Sequence, residues 1–314
     1  MTTTYAIPLR TRFRGITVRE GVLLHGVAGW GEFSPFWDYD AATCVPWLRA
    51  ARESAEDGWP EPVRTTVLVN CTVPAVGPDR AAAIVRVSGG CRTAKVKVAE
   101  RGQVLADDLS RVEAVRDALG PEGRVRVDAN GAWSVDEAVA AIGGLSRFGL
   151  EYVEQPCATV EELAAVRRRV DVPIAADESI RRAEDPLRVA ALDAADIAVL
   201  KVQPLGGVRA CLDIAERIGL PVVVSSALET SVGIAAGVAL AAALPELPYA
   251  CGLATVGLLE RDVVADPLLP VDGALEVRRP EPLGELPVVP AGTPERWRDR
   301  LAAVDRLIRQ DREA

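Results

Sequence analysis

Lysine is nearly missing from this chain. Of its 36 basic residues, 33 are arginine and three are lysine: Lys95, Lys97 and Lys201. Histidine occurs once, as His25. That excludes a multi-histidine metal site, and any histidine-based triad in which His25 is not the base. His25 itself lies in "EGVLLHGVAGW", which reads as a hairpin strand with a structural histidine. No two of the six cysteines (Cys44, Cys71, Cys91, Cys157, Cys211, Cys251) have C-x-x-C spacing. Their surroundings are mostly apolar, which predicts buried, reduced thiols rather than disulfides or a zinc site. An excess of positive charge is also absent. The net charge is −9 and is spread along the chain, so no basic face for nucleic acid is expected. The arginine-rich stretches "RVEAVRDALG" and "RWRDRLAAVDRLIRQDRE" are interleaved with acids and read as solvated helix faces. No apolar run reaches membrane-span length, and "VGIAAGVALAAAL" is too short and too rich in Ala and Gly. The start, "MTTTYAIPLRTR", lacks the apolar region of a signal peptide, which predicts a cytoplasmic protein.

What is present is a regular alternation. Short β-branched runs alternate with amphipathic stretches: "RTTVLVN" (64–70), "TAKVKV", "RVRVDAN", "LEYVEQP", "VPIAADES", "ADIAVLKV", "LPVVVSS" and "PYACG" (248–252). Eight strand candidates with seven long connections fit a parallel barrel better than an open sheet. A doubly wound dinucleotide fold would need a G-x-G-x-x-G after its first strand, and there is none. The expected fold is α/β: a (β/α)7β modified TIM barrel over 64–262. An α+β cap is expected from residues 1–63, completed by a Pro-rich C-terminal segment, 263–314, that ends in a helix.

In such a barrel the chemistry sits at the C-terminal ends of the strands. There the second strand offers Lys95 and Lys97, the third Asp128, the fourth Glu154, the fifth Asp177 and the sixth Lys201. Side chains alternate with period two, so if Val96 and Val98 pack on helices, both lysines face the interior. Three carboxylates on consecutive strands form an oxygen cage suited to Mg²⁺. Lysines on both sides suit removal of a proton α to a carboxylate, with the metal neutralising the growing charge. Arginine cannot be deprotonated in a protein, whereas lysine can. A chain biased towards arginine would therefore keep lysine where a titrating amine or a compact ammonium is needed. Glu178 should point away from Asp177 and support the site indirectly. Asp196 opens the sixth strand at the wrong end and reads as structural. Asn130, one of two asparagines with Asn70, could orient a ligand or cap a loop.

The set K-x-K, D-x-N, E-Q-P, D-E-S and a final lysine resembles the enolase superfamily in its muconate-lactonizing subgroup, over nearly the whole chain. "GWGEFSPF" resembles the cap motif, and "VVVSSALETSVG" with "CGLATVGLL" resembles the last two barrel strands. The short cap, "PLRTRFRGITVREG" and the serine-rich "SSALETS" resemble a dehydratase branch more than the racemases. That resemblance implies a syn dehydration in menaquinone biosynthesis. The reaction takes 2-succinyl-6-hydroxy-2,4-cyclohexadiene-1-carboxylate, a small dicarboxylate, to 2-succinylbenzoate. It implies Mg²⁺ (with Mn²⁺ as a substitute) on Asp128, Glu154 and Asp177, and Lys97 as the base and then the acid. Lys201 would be the cation stabilising the enediolate from the opposite face, and Lys95 an electrostatic support. Ser225 and Gly252 match substrate-contacting positions, Arg126 matches a substrate-binding position with an indirect contact to the succinyl side, and Arg12 and Arg14 in the cap could meet the dianion. The same site also serves racemisation of N-succinylamino acids. Dipeptide epimerisation would call for a D-x-D at the eighth strand, which "CGLATVG" lacks. A Schiff-base aldolase with Lys201 as nucleophile is the alternative from another class, and it leaves the three carboxylates unexplained.

Overall fold

The computed structural model describes residues 2–182 and 185–313. The chain opens with an antiparallel meander of β1 (Thr2–Phe13), β2 (Ile16–Gly26) and β3 (Gly29–Phe33). Arg14 and Gly15, at φ 48° and 79°, join β1 to β2. A two-residue turn with both φ positive matches the right-handed twist of the strands it connects. His25 lies on β2 and pairs with Trp30 of β3 across the hairpin, with ring centroids 4.6 Å apart. The cap's helix is α1 (Val45–Arg52), started by a proline in its first turn and followed by a π-helical turn over Glu53–Asp57. Tyr5, Ile7, Leu23, Phe33, Trp47 and Leu48 build the core of this cap.

The barrel begins lower than the sequence pattern suggests. The first run, 64–70, holds β4 (Thr66–Leu68), antiparallel to a strand from the tail, and the strand that enters the parallel sheet is β5 (Cys71–Val73), just after that run. There follow α2 (Pro78–Arg86), β6 (Thr93–Lys97), α3 (Leu105–Leu119), β7 (Arg124–Asp128), α4 (Val135–Leu145), β8 (Leu150–Glu154), α5 (Val160–Arg167) and β9 (Ile174–Ala176). Among the described residues the connection after β9 holds two four-residue helices, α6 (Glu178–Arg181) and α7 (Arg188–Ala191). The sheet ends with β10 (Ile197–Leu200), α8 (Val202–Leu205), α9 (Val208–Ile218), β11 (Val222–Val224) and α10 (Ser231–Ala243). Spatial order follows sequence order from β5 to β11. The eighth strand, expected at 248–252, is reduced to two parallel bridges, Ser225–Gly252 and Val69–Cys251, which link β11 back to the first strand. Backbone bonds Gly252 N to Val224 O (2.8 Å) and Asn70 N to Cys251 O (2.9 Å) complete the (β/α)7β barrel.

Period-two alternation sorts the strand residues. Val96, Val127, Val153, Ala176, Leu200 and Val224 point outward and join Val112, Val115, Ile142 and Leu163 of the helices in one core. Tyr152, Ala175, Ile197, Val199 and Val223 point inward as a separate layer. The tail supplies β12 (Ala274–Glu276), the partner of β4, and α11 (Thr293–Glu313), whose Trp297 packs edge-on against Phe33 of the cap. Arg300 of α11 donates to Phe36 O (2.7 Å) and Tyr39 O (2.8 Å), pinning the cap loop above the barrel mouth. All six cysteines are buried and free. Among the described residues no helix is long and apolar enough to cross a membrane.

Candidate active site

Strand register sets the site. Lys97 stands opposite Asp128, Asp128 opposite Glu154, and Glu154 opposite Ala175, so the ends of β6, β7 and β8 finish level beneath the cap. Lys97 Nζ donates to Asp128 Oδ2 (2.5 Å) and Asn130 Oδ1 (2.7 Å). Lys95 Nζ donates to both oxygens of Glu154 (2.8 and 3.0 Å) and lies 3.4 Å from the same Asp128 oxygen. Lys201 Nζ donates to Asp177 Oδ2 (2.6 Å), and Arg181 Nε donates to Asp177 Oδ1 (2.9 Å). Gln155 fixes the approach to Asp177: its Oε1 accepts from the backbone N–H groups of Asp177 and Ser179.

The electrostatics follow from crowding in a buried volume. Burial opposes ionisation of Asp128, but Lys97 and Lys95 outweigh it and hold its carboxyl well below the usual range. Asp177 behaves alike, with burial overcome by Arg181 and Lys201. Glu154 goes the other way: burial and the neighbouring Asp128 push it up to about 7, against the pull of Lys95. The same acids also act on Lys95. Burial disfavours its ammonium, yet Glu154 and Asp128 raise its pKa overall.

Above this ring lies a cavity of about 290 Å³, walled by Lys95, Lys97 and Lys201 below and by the cap above. Ser225 and Gly252 line it where the barrel closes, and a Cβ on Gly252 would stand 2.5 Å from Ser225 Oγ. Arg12 and Arg14 line it from the β1–β2 hairpin, with Arg14 stacked 3.8 Å over Phe36 and bonded to the Tyr39 hydroxyl (2.9 Å). Phe13 of the same turn lies 5.5 Å from Lys97 Nζ.

Two expectations need correction. Arg126 does not reach the cavity. It lies fully buried one layer down, donating to Glu151 Oε2 (2.5 Å), Asn70 Oδ1 (3.2 Å) and Ala250 O (2.6 Å), with its guanidinium 4.7 Å over Tyr152. Glu178 is not on a strand. It begins α6, where its Oε1 accepts from Asn130 Nδ2 (3.2 Å) and Arg181 (2.6 Å). Asn130, at φ 48°, both orients Lys97 and turns the chain after β7. Asp196 binds Arg167 and the Ile174 amide at the far end of the barrel. The sequence reading missed Arg181, Tyr39 and Thr72, all of which line the cavity. Arg181, four residues after Asp177 on one helical turn, had a legible signal in "DESIRR". Tyr39 and Thr72 had none.

The donor set suits a hard divalent cation: three carboxylates from adjacent strands, with oxygen as their only donor atom. As they stand, each carboxylate faces an ammonium or guanidinium, and no three acids among the described residues converge as a ready metal cluster. A buried oxygen beside them, Glu178 Oε2, has no hydrogen-bond partner. The acids that repel one another in the raised Glu154 are the groups that a 2+ charge would satisfy.

This fold and this ring of groups define a class of proton-abstracting barrel enzymes, the enolase superfamily, and both halves of the chain match it. Residues 79–284 match the family described as Enolase C-terminal domain-like, and residues 4–55 match Enolase N-terminal domain-like. An o-succinylbenzoate synthase of Thermobifida fusca (strain YX) is 70% identical over 303 residues, 95% of this chain and 94% of that protein. One from Mycolicibacterium smegmatis is 58% identical over 308 residues, covering 96% and 94%. The crystal structure of a dipeptide epimerase from Enterococcus faecalis V583, complexed with Mg and L-Leu-L-Tyr, is similar with a TM-score of 0.75 and 25% identity, covering 90% of this chain and 98% of that one. The chain thus belongs to the o-succinylbenzoate synthase family of the enolase superfamily.

Proposed function

We propose that this chain eliminates water from 2-succinyl-6-hydroxy-2,4-cyclohexadiene-1-carboxylate to give 2-succinylbenzoate, as a Mg²⁺-dependent cytoplasmic step in menaquinone biosynthesis. The observation that carries the reading is the opposition of Lys97 and Lys201. Lys97 ends β6 and Lys201 directly follows β10, with the three carboxylates at the ends of the strands between them. Asp128, Glu154 and Asp177 are the residues that would hold the metal. Bound there, Mg²⁺ would supply charge neutralisation for the substrate carboxylate.

The remaining work belongs to the chain. Lys97, as a neutral amine, takes the hydrogen from the ring carbon that carries the carboxylate. The electron pair shifts into the ring, the C–O bond at the neighbouring carbon breaks, and the Lys97 ammonium returns the proton to the departing hydroxide. Water leaves and the ring becomes aromatic. One residue does both transfers because the hydrogen and the hydroxyl leave from the same face. Lys201 stays an ammonium on the other face, where its charge offsets the negative charge that develops. Lys95 keeps Glu154 and Asp128 in place. Ser225 and Gly252 shape the wall beside the reacting ring.

The test is the absorbance change on aromatisation with purified protein and Mg²⁺. Turnover abolished by EDTA and restored by Mg²⁺ or Mn²⁺ supports the reading. Absence of turnover with Mg²⁺ present overturns the substrate assignment. Lysines on both faces also suit racemisation, so exchange of the α-proton of an N-succinylamino acid in D₂O tests that second activity on the same site.

A further inference from the structure

The segment that places Arg12 and Arg14 in the cavity also carries Arg19, on β2. Arg19 is 2% exposed and lies behind the cavity wall rather than in it. Its Nε donates to Leu228 O (2.8 Å). One terminal nitrogen donates to Ala227 O (3.2 Å), Ser34 Oγ (2.9 Å) and Ser34 O (2.5 Å). The guanidinium carbon lies 4.5 Å from the centroid of the Phe36 ring. Ala227, Leu228 and Phe36 all line the cavity. A single buried side chain therefore ties together two pieces of the substrate wall, one from the barrel loop after β11 and one from the cap loop after β3.

The barrel loop needs such a tie. Leu228 adopts φ 67°, the left-handed region that a branched side chain disfavours. A backbone of that kind persists where its surroundings fix it. Here the Leu228 carbonyl is held by Arg19. Glu229 accepts from the Ala227 amide (2.7 Å), and Glu32 of the cap accepts from the Thr230 amide (3.1 Å). The turn is tied by the Arg19 guanidinium and by the buried carboxylates of Glu229 and Glu32, so its shape is set by the cap as much as by its own sequence.

We infer that Arg19 is a positioning residue for this reaction. Through the carbonyls of Ala227 and Leu228 it sets the loop that walls the substrate, and it couples that loop to the cap. Lysine cannot do this, because reaching two carbonyls of one loop and Ser34 of another takes a planar fork with several fixed donors. The kinetic consequence rests on the proposed reaction; the effect on the loop does not.

The test compares Arg19→Lys with the parent chain in two measurements. In steady-state kinetics with the cyclohexadiene substrate, kcat/KM is expected to fall roughly tenfold to hundredfold. The loss should sit mainly in KM, with the pH–rate profile unchanged, since Lys97 and the carboxylates are untouched. In amide hydrogen exchange read by mass spectrometry, residues 225–230 should be protected in the parent and exchange faster in the variant, while β6–β8 stay as they were. A folded Arg19→Lys chain with parental KM, or with unchanged exchange over 225–230, overturns the inference. Should the parent show no turnover while the exchange behaves as expected, the reaction is wrong and the role of Arg19 in the loop stands. If Arg19→Lys does not fold, the parent decides alone: slow exchange over 225–230 supports the tie, and exchange at the rate of an exposed loop overturns it.

Discussion

Lys97 sits 2.5 Å from Asp128, where arginine would satisfy the same charge. The two side chains differ in whether the cation can give up its proton. Lys97→Arg is therefore expected to lower kcat by roughly 10²–10⁴-fold, with binding of 2-succinylbenzoate retained by calorimetry. Turnover close to the parent's would remove Lys97 from the base role. A second residue prediction concerns stability. Burial, with Glu32 beside it, pushes Glu229 up to about 7 from an ordinary 4.5. A raised carboxyl is stabilising while protonated, and that contribution is lost as pH rises from about 4.5 through about 7. Above that range the buried charge costs roughly 3 kcal/mol. Glu229→Gln should therefore raise Tm relative to the parent at pH 8 and differ little at pH 5; an equal difference at both pH values would contradict the assignment. At this scale the lysines and the three carboxylates were legible because they lie at or near the ends of short apolar runs. Arg126 was misjudged because alternation reports which way a side chain faces, not how deep it lies. It faces inward with Asp128 but sits two residues lower, roughly 6–7 Å down the strand.

Elements meet at distances that single residues decide. In β3, a Cβ on Gly31 would stand 1.9 Å from the carbonyl oxygen of Ala51 in α1. The obstruction is backbone, so the helix would have to move. Gly31→Ala is expected to destabilise the chain by roughly 3 kcal/mol in urea unfolding, and a loss under 1 kcal/mol would mean that β3 and α1 have room to separate. The hydrophobic runs announced most of the barrel elements, since buried parallel strands and their covering helices carry distinct periods. They did not announce that the first run would form β4 and leave the barrel strand to β5, just after it. Its start is claimed by β12, some 200 residues later, and a pairing over that distance leaves no local mark. Among the described residues the connection after β9 forms two short helical turns, and Asp177, Glu178 and Arg181 within it are held by ion pairs of the site.

The whole molecule closes around a few long-range bonds. Arg126 joins β7 to Glu151 at the start of β8, to Asn70 after the first strand and to Ala250 at the seam of the barrel. Arg126→Met should cost roughly 3 kcal/mol in guanidinium unfolding, because the acceptors stay buried and lose their donor. A stability within 0.5 kcal/mol of the parent would show that the seam holds without it. The sequence by itself determined the barrel, the order of its strands and the six charged groups at their ends. Periodicity and residue chemistry are local properties, and the scarcity of lysine marked where a titrating amine is kept. Tertiary structure decided the depth of Arg126, the left-handed turn at Leu228 and the way Arg19 and Arg300 hold the cap over the barrel mouth. Those depend on which distant carbonyl a buried guanidinium meets, and only the closed barrel with its cap in place sets that distance.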